Sequence, residues 1–266
     1  KAPKLHSALV VGISQSGQSP DIVSVLEEGR NQGCPTLAIT NAPDSPLARA
    51  AHFVIDIHAG VEAAVAATKT YTAELMAIAM LCAAMQPEKD VLAALARVPG
   101  WVRQALALEE QIAGVAERYR YMSHCAVVGR GYNYATAFEW SLKLKELTYV
   151  VAEPYSSADF QHGPIAMVER GFPVLAVAPD GKVFKDVLAL LQRLKSDLLA
   201  ELVVISDQHP ALEVAQSPLR LPSGIPEWLS PMVAIIPAQL FAYHLTLARG
   251  YDAEKPRVIR KVTETH

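Results

Sequence analysis

Two carboxylates, an amine and an imidazole fall within about thirty residues of one another: Glu139, Lys143, Glu146 and His162. The first three stand at i, i+4 and i+7, so on a helix they form one polar stripe. Such a set can move protons on an organic substrate. An imidazole titrates near neutrality and serves as acid or base. A carboxylate can take a proton from one carbon and return it to the next. An ammonium can offset the negative charge that develops between the two steps. The same residues also read as a salt-bridged surface and a loop histidine.

A second cluster runs Ser14-Gln15-Ser16-Gly17-Gln18-Ser19. Its hydroxyls and amides are neutral donors, and Gly17 lets the backbone come close to a ligand. Placed between a strand and a helix start, it suits an anion, because backbone N–H groups converge there. A phosphate monoester held without a permanent cation is the ligand it describes; a polar turn capped by Ser19 is the plainer reading. No lysine follows at the spacing of a nucleotide-binding P-loop. Thr68-Lys69-Thr70 opens a long apolar helix, as a helix cap or as further hydroxyls aimed at the same strand ends. Gly129-Arg130-Gly131 lacks the third glycine of a dinucleotide turn, so no nicotinamide cofactor is expected.

The elements that must carry these residues alternate. Strands are expected at Ser7–Ile13, Thr36–Thr40, Phe53–Ile57, Cys125–Gly129, Val174–Ala178, Leu202–Ser206 and Pro218–Leu221. Helices are expected at Pro20–Asn31, Thr68–Met85, Glu88–Arg97, Trp101–Arg120, Tyr132–Val151, Phe184–Leu199 and Leu229–Arg249. In the Tyr132–Val151 helix, Tyr134, Phe138, Leu142 and Tyr149 share one apolar face. Trp140, Leu144, Leu147 and Val151 share another, so burial on two sides is expected. The alternation implies parallel sheets covered by helices on both faces.

The chain has 266 residues, of which 51% are hydrophobic, enough for two cores. A formal net charge of -3 argues against a general nucleic-acid binder. Three cysteines have no ligand spacing and no partner pattern. They suit a reduced, cytoplasmic protein. Eight histidines without a His/Cys cluster lead us to expect no metal. No signal peptide is visible. The apolar run Leu229–Ala248 approaches membrane-spanning length but contains Pro231, Pro237, Gln239 and His244, and reads as a buried core helix; no membrane association is expected.

The chain also resembles itself. Leu-Val-Val-Gly-Ile-Ser from Leu9 matches Val-Leu-Ala-Val-Ala-Pro from Val174, and Leu-Ala-Ile-Thr-Asn from Leu37 matches Val-Val-Ile-Ser-Asp from Val203. Two copies of one α/β unit explain this, with domains expected at 1–120 (linker helices included) and 121–266. The second copy carries about fifty residues, 121 to 171, ahead of its matched part; by that offset the first copy would start about 44 residues before Lys1. The first sheet is therefore expected to lack its N-terminal strand and helix in this sequence.

Five segments in order, Ser-Gln-Ser-Gly-Gln-Ser at Ser14, Ala-Ala-Thr-Lys-Thr at Ala66, Glu-Trp-Ser-Leu-Lys-Leu-Lys-Glu at Glu139, His-Gly-Pro at His162 and Lys-Pro-Arg-Val-Ile-Arg-Lys-Val-Thr at Lys255, resemble the double SIS (sugar isomerase) family. The family includes the isomerase half of glutamine–fructose-6-phosphate aminotransferase and stand-alone glucosamine-6-phosphate deaminases. The resemblance implies two tandem doubly wound, flavodoxin-like parallel sheets. It implies a sugar phosphate held by Ser14, Gln15, Ser16 and Ser19, with Val65 and Thr68 at the sugar. It makes Glu139, Lys143, Glu146, His162 and Lys261 the catalytic set, with His162 donated across a homodimer and no cofactor required. Ala67 replaces the serine usual in the aminotransferases, and the tail ends Lys-Val-Thr-Glu-Thr-His. Both features lean to the stand-alone deaminase or isomerase branch, and the expected reaction converts glucosamine 6-phosphate to fructose 6-phosphate and ammonia. The aminotransferase module and a sugar-phosphate-binding regulator are the alternatives.

Overall fold

The computed structural model describes residues 3–85 and 88–259. They form two compact units: 3–85 with 257–259, and 88–256. The boundary lies near residue 87 and not at 120, because the helices expected as linkers pack on the long helix of the second unit.

The first unit contains three parallel strands, β1 (Val10–Ile13), β2 (Thr36–Thr40) and β3 (Phe53–Asp56), in the order 1-2-3. Helix α1 (Pro20–Asn31) covers one face, with the short α2 (Pro46–Ala50) beside it. Leu26, Ala38, Leu47 and Ala50 close that core. Helix α3 (Lys69–Met85) lies on the other face, where Ala77 meets Leu37 and Ile39. The expectation missed α2, whose five residues are too few to show periodicity; Ser45 caps it by accepting from the Ala48 N–H. β2 is buried at every position, as a central parallel strand should be.

The second unit opens with α4 (Lys89–Leu106) and α5 (Glu109–Arg118). Two helices were expected up to Arg120, broken before Trp101. α4 instead runs on through Pro99, and the break comes at residues 107–108. Five parallel strands follow: β4 (His124–Gly129), β5 (Val151–Ser156), β6 (Pro173–Val177), β7 (Glu201–Ser206) and β8 (Ser217–Arg220). Their order in the sheet is β5-β4-β6-β7-β8, the 2-1-3-4-5 arrangement of a flavodoxin-like doubly wound fold. Helices α6 (Asn133–Lys143), α7 (Ser157–Gln161), α8 (Phe184–Ser196), α9 (His209–Val214) and α10 (Ser230–Ala248) complete it. α10 is the apolar run noted above. Met232, Val233, Ile235, Phe241 and Leu245 are all buried, so it is a core helix. Cys34 and Cys125 are buried, Cys82 is exposed and all three are free; burial pushes the Cys125 thiol up to about 12.

The repeat is visible in hydrogen bonds. Thr40 Oγ1 ends β2 by donating to the Gln15 carbonyl and accepting from the Ala42 N–H. Ser206 Oγ ends β7 by donating to the Ala178 carbonyl and accepting from the Gln208 N–H.

Candidate active site

The helix expected over Tyr132–Val151 is not uniform. α6 is α-helical to Lys143 and then widens into a π turn over Leu144–Thr148, which ends at Tyr149 in the left-handed region (φ 58°). The chain then enters β5 at Val151, a strand the helical pattern concealed. π turns are rare and occur frequently at functional sites. Only one of the two expected faces is buried. Trp140, Leu144 and Leu147 are in the core, whereas Phe138 and Leu142 are about half exposed and Val151 lies exposed on the edge strand. The core side is fixed at several points. Gly129 lets the Asn133 carbonyl approach so closely that a Cβ there would lie 2.2 Å from it. This accounts for the glycine without a dinucleotide. Asn133 Nδ2 donates to Ser230 Oγ at 2.7 Å, Ser141 Oγ to the Ala152 carbonyl at 2.6 Å, and Trp140 packs edge-on against Phe241.

This scaffold carries the Glu/Lys/Glu stripe, which is not a surface feature. The Lys143 side chain is 4% exposed. Its Nζ donates to Glu146 Oε2 at 2.6 Å and lies 3.4 Å from Glu139 Oε1. Glu139 is 10% exposed and Glu146 25%. A buried ammonium held between two carboxylates, one reaching toward solvent from a π turn, is a costly arrangement that structure alone does not require. The π turn has its own clamp. Arg249, at the end of α10, donates through Nη1 to the Thr148 carbonyl at 2.8 Å and through Nη2 to the Met122 carbonyl. Burial holds the Arg249 guanidinium below its usual range.

His162 sits exposed at the C-terminal end of α7, its backbone N–H bonded to Asp159. Glu146 precedes β5 and His162 follows it. The whole of β5 and of α7 lies between the two along the chain. No hydrogen bond or ion pair joins His162 to the Lys143 cluster among the described residues. Lys261 lies outside the described residues.

The first unit holds the second predicted set. The Ser14–Ser19 loop connects β1 to α1. Gly17 has φ +60°, and a Cβ there would lie 2.1 Å from Ser45 Oγ, so only glycine fits. Ser14 Oγ accepts from the Gly17 N–H at 3.2 Å and Ser16 Oγ from the Gln18 N–H at 3.3 Å. Each hydroxyl thus uses a lone pair on the loop and keeps its proton for a ligand. Ser19 occupies the N-cap position of α1, but its side chain makes no capping bond. The expected cap is thus an open hydroxyl beside a helix start. Gln15 enters through its carbonyl, which accepts from Thr40 Oγ1 and from the Asn41 N–H. Val65 and Thr68 lie on the loop between β3 and α3, with Val65 half-buried and Thr68 exposed.

Sequence reasoning missed three residues. Asn41 grips the start of that loop, accepting from the Ala59 N–H and donating to the Gly60 carbonyl. Glu62 grips its end. Arg249 clamps the π turn. Each acts across a gap in sequence that no local motif marks. Among the described residues, no three His, Cys, Asp or Glu side chains are grouped to hold a metal ion.

The description of the SIS domain matches residues 6–84 and 121–249, one segment in each unit. The chain belongs to the SIS domain family. It is 36% identical over 262 residues to glutamine–fructose-6-phosphate aminotransferase (isomerizing) of Thermococcus kodakarensis, covering 95% of this chain and 43% of that protein. The same enzyme of Xanthomonas campestris is 37% identical over 267 residues, again covering 95% and 43%. The SIS chain thus spans less than half the length of these curated relatives. Among solved structures, the C-terminal domain of glucosamine-fructose-6-phosphate aminotransferase from Francisella tularensis superposes with a TM-score of 0.88 at 30% identity, covering 96% of this chain and 75% of that one. Glucosamine-6-phosphate deaminase from Thermotoga maritima shares the fold, with a TM-score of 0.79 at 20% identity over 99% of this chain and 78% of its own.

Proposed function

We propose that this SIS chain interconverts an amino-sugar 6-phosphate and fructose 6-phosphate by ring opening and proton transfer between C1 and C2. The observation that carries the reading is Lys143, buried at the end of α6 between Glu139 and Glu146, the latter on the π turn. Glu146 is the partner that reaches solvent, so it is the group assigned to shuttle the proton. Lys143 and Glu139 orient it and offset the charge of the enediol or enamine. The hydroxyls of Ser14, Ser16 and Ser19 with Gln15 take the phosphate, and the Val65–Thr68 segment takes the sugar. His162 opens the ring as acid/base. Its place beyond β5 supports a site completed by a second copy of the chain. Lys261 is assigned to the C2 carbonyl, as a contact or as an imine. Hydrolysis of a C2 ketimine then yields ammonia and fructose 6-phosphate, with no cofactor.

Two settings fit this chemistry. Ala67 favours a deaminase acting alone. Identity of 36–37% to aminotransferases favours the isomerising part of an enzyme that makes glucosamine 6-phosphate from glutamine. A sugar-phosphate sensor would not need the buried Lys143 cluster. Ammonia release from a panel of amino-sugar 6-phosphates, with and without glutamine, decides among them. Release without glutamine supports the deaminase, and glutamine-dependent synthesis from fructose 6-phosphate supports the aminotransferase. Tight binding of sugar phosphate with neither reaction leaves the sensor.

A further inference from the structure

Glu62 is 8% exposed, and one oxygen of its carboxylate collects three donors. Oε2 accepts from the Thr68 N–H at 3.1 Å, the Thr70 N–H at 3.0 Å and Thr70 Oγ1 at 2.7 Å. An ordinary helix cap comes from the residue beside the first turn. This one comes from six and eight residues upstream, so besides capping α3 it folds residues 62–68 back on themselves. That closed segment contains Val65 and Thr68. Its other side is tied down as well. Asn41 Oδ1 accepts from the Ala59 N–H at 3.0 Å and Nδ2 donates to the Gly60 carbonyl at 2.7 Å. The Asn41 N–H donates to the Gln15 carbonyl at 3.1 Å, and Lys69 Nζ donates to the Val61 carbonyl at 2.6 Å. Hydrogen bonds through Asn41 thus tie the Ser14–Ser19 loop to Ala59 and Gly60, and two residues further along the chain Glu62 ties the rest of that loop to the start of α3.

We infer that Glu62 is a positioning residue that fixes the Val65–Thr68 backbone relative to the phosphate loop and so sets affinity for the sugar, not for the phosphate. The inference rests on the function proposed above and deepens it. A buried carboxylate receiving three hydrogen bonds resists rearrangement. Losing it frees the loop to sample conformations that binding must then reorder.

The test compares binding of inorganic phosphate with binding of fructose 6-phosphate, by calorimetry on the full-length gene product. In the wild type the sugar should tighten binding well beyond phosphate alone. Glu62→Ala should weaken fructose 6-phosphate about thirtyfold and phosphate less than about twofold, so the ratio of the two collapses. Glu62→Gln keeps the size and one acceptor oxygen and should lose roughly a third to a half of that effect on a logarithmic scale. Should Glu62→Ala not fold, Glu62→Gln carries the same comparison at lower amplitude. A ratio that survives in both variants, or equal weakening of both ligands, overturns the inference, since a merely structural role would disturb the whole unit. Wild-type protein that shows the sugar-dependent ratio but turns over no sugar phosphate sinks the proposed reaction and leaves the role of Glu62 standing.

Discussion

Replacing Lys143 with methionine removes one charge and keeps the length of the side chain. At an effective dielectric of about 20, contacts of 2.6 and 3.4 Å correspond to gross attractions of ~6 and ~5 kcal/mol. Most of this is offset by the cost of burying the charges, so the sum is not the stability of the cluster. What the variant loses is compensation: the largely buried Glu139 and the partly exposed Glu146 are left without the cation between them. Removing one partner of a buried set costs about 3–5 kcal/mol. In a unit of this size that lowers Tm by roughly 10 °C.

The measurement is urea and thermal unfolding beside kcat and KM for the panel above. Lys143→Met should lose stability by this amount and kcat by at least about a hundredfold, because the charge on the enediol is no longer offset. The double variant Glu139→Gln with Lys143→Met should be more stable than the sum of the singles, since it removes a stranded carboxylate along with the cation. A Lys143→Met protein within about 2 °C of wild-type Tm and within about threefold of its kcat would show that the cluster is neither buried as described nor catalytic.

Ser16→Ala should raise KM about tenfold, the worth of one or two hydrogen bonds, and unchanged affinity for fructose 6-phosphate would remove the loop from the site. Glu146→Gln should lower kcat roughly a hundredfold or more with binding nearly intact; turnover at half the normal rate would put the proton shuttle elsewhere. Burial raises the Glu74 carboxyl on α3 to about 7. Its folded pKa lies above the unfolded one, so its contribution is present below about pH 4.5 and is lost as pH rises through 7. Relative to Glu74→Gln, the wild type should lose about 1–2 kcal/mol of unfolding free energy between pH 5 and 8, allowing for solvent on its open side, and parallel curves would refute the burial. Mixed His162→Ala and Glu146→Gln subunits, each inactive alone, should regain up to about a quarter of wild-type activity after exchange, because half the dimers are mixed and each holds one intact site. No recovery would place both residues of one subunit in the same site.

The alternation of apolar strands with amphipathic helices made both sheets legible, since central strands such as β2 and β7 are buried at nearly every position. β5 was not legible. Val151-Ala152-Glu153-Pro154 continues the apolar spacing of α6, and an edge strand tolerates a proline that would disqualify a central one. The π turn has no signature because its distinguishing feature is a hydrogen-bond offset, not a residue type. The Glu/Lys/Glu stripe was legible as spacing but not as depth. α6 and the π turn pack against α10, about a hundred residues away in sequence, so their depth is set by topology. Glu62, Asn41 and Arg249 escaped for the same reason: their partners are set by topology.

The two copies of the fold explain why phosphate is assigned to the first unit and not also to the second. Ser206 repeats the strand-end staple of Thr40, so the backbone after β6 is held as the backbone after β1 is. The residues placed on it differ. Where the first copy has Ser16, Gly17 and Asn41, the strand register places Asp180, Gly181 and Asp207 in the second. The Asp180 N–H, a donor a phosphate could have used, is spent on Asp207 Oδ1 at 2.8 Å. The Glu227 carboxyl group lies against Gly181, so close that a Cβ there would be 2.4 Å from its Cδ. A phosphate arriving at that strand end would meet carboxylates in place of hydroxyls. Like charge at such distance costs several kcal/mol even at an effective dielectric of about 20. With that strand end closed to anions by its own acids, the second copy is left to supply the buried Lys143 cluster on the helix that the first copy's described residues do not contain.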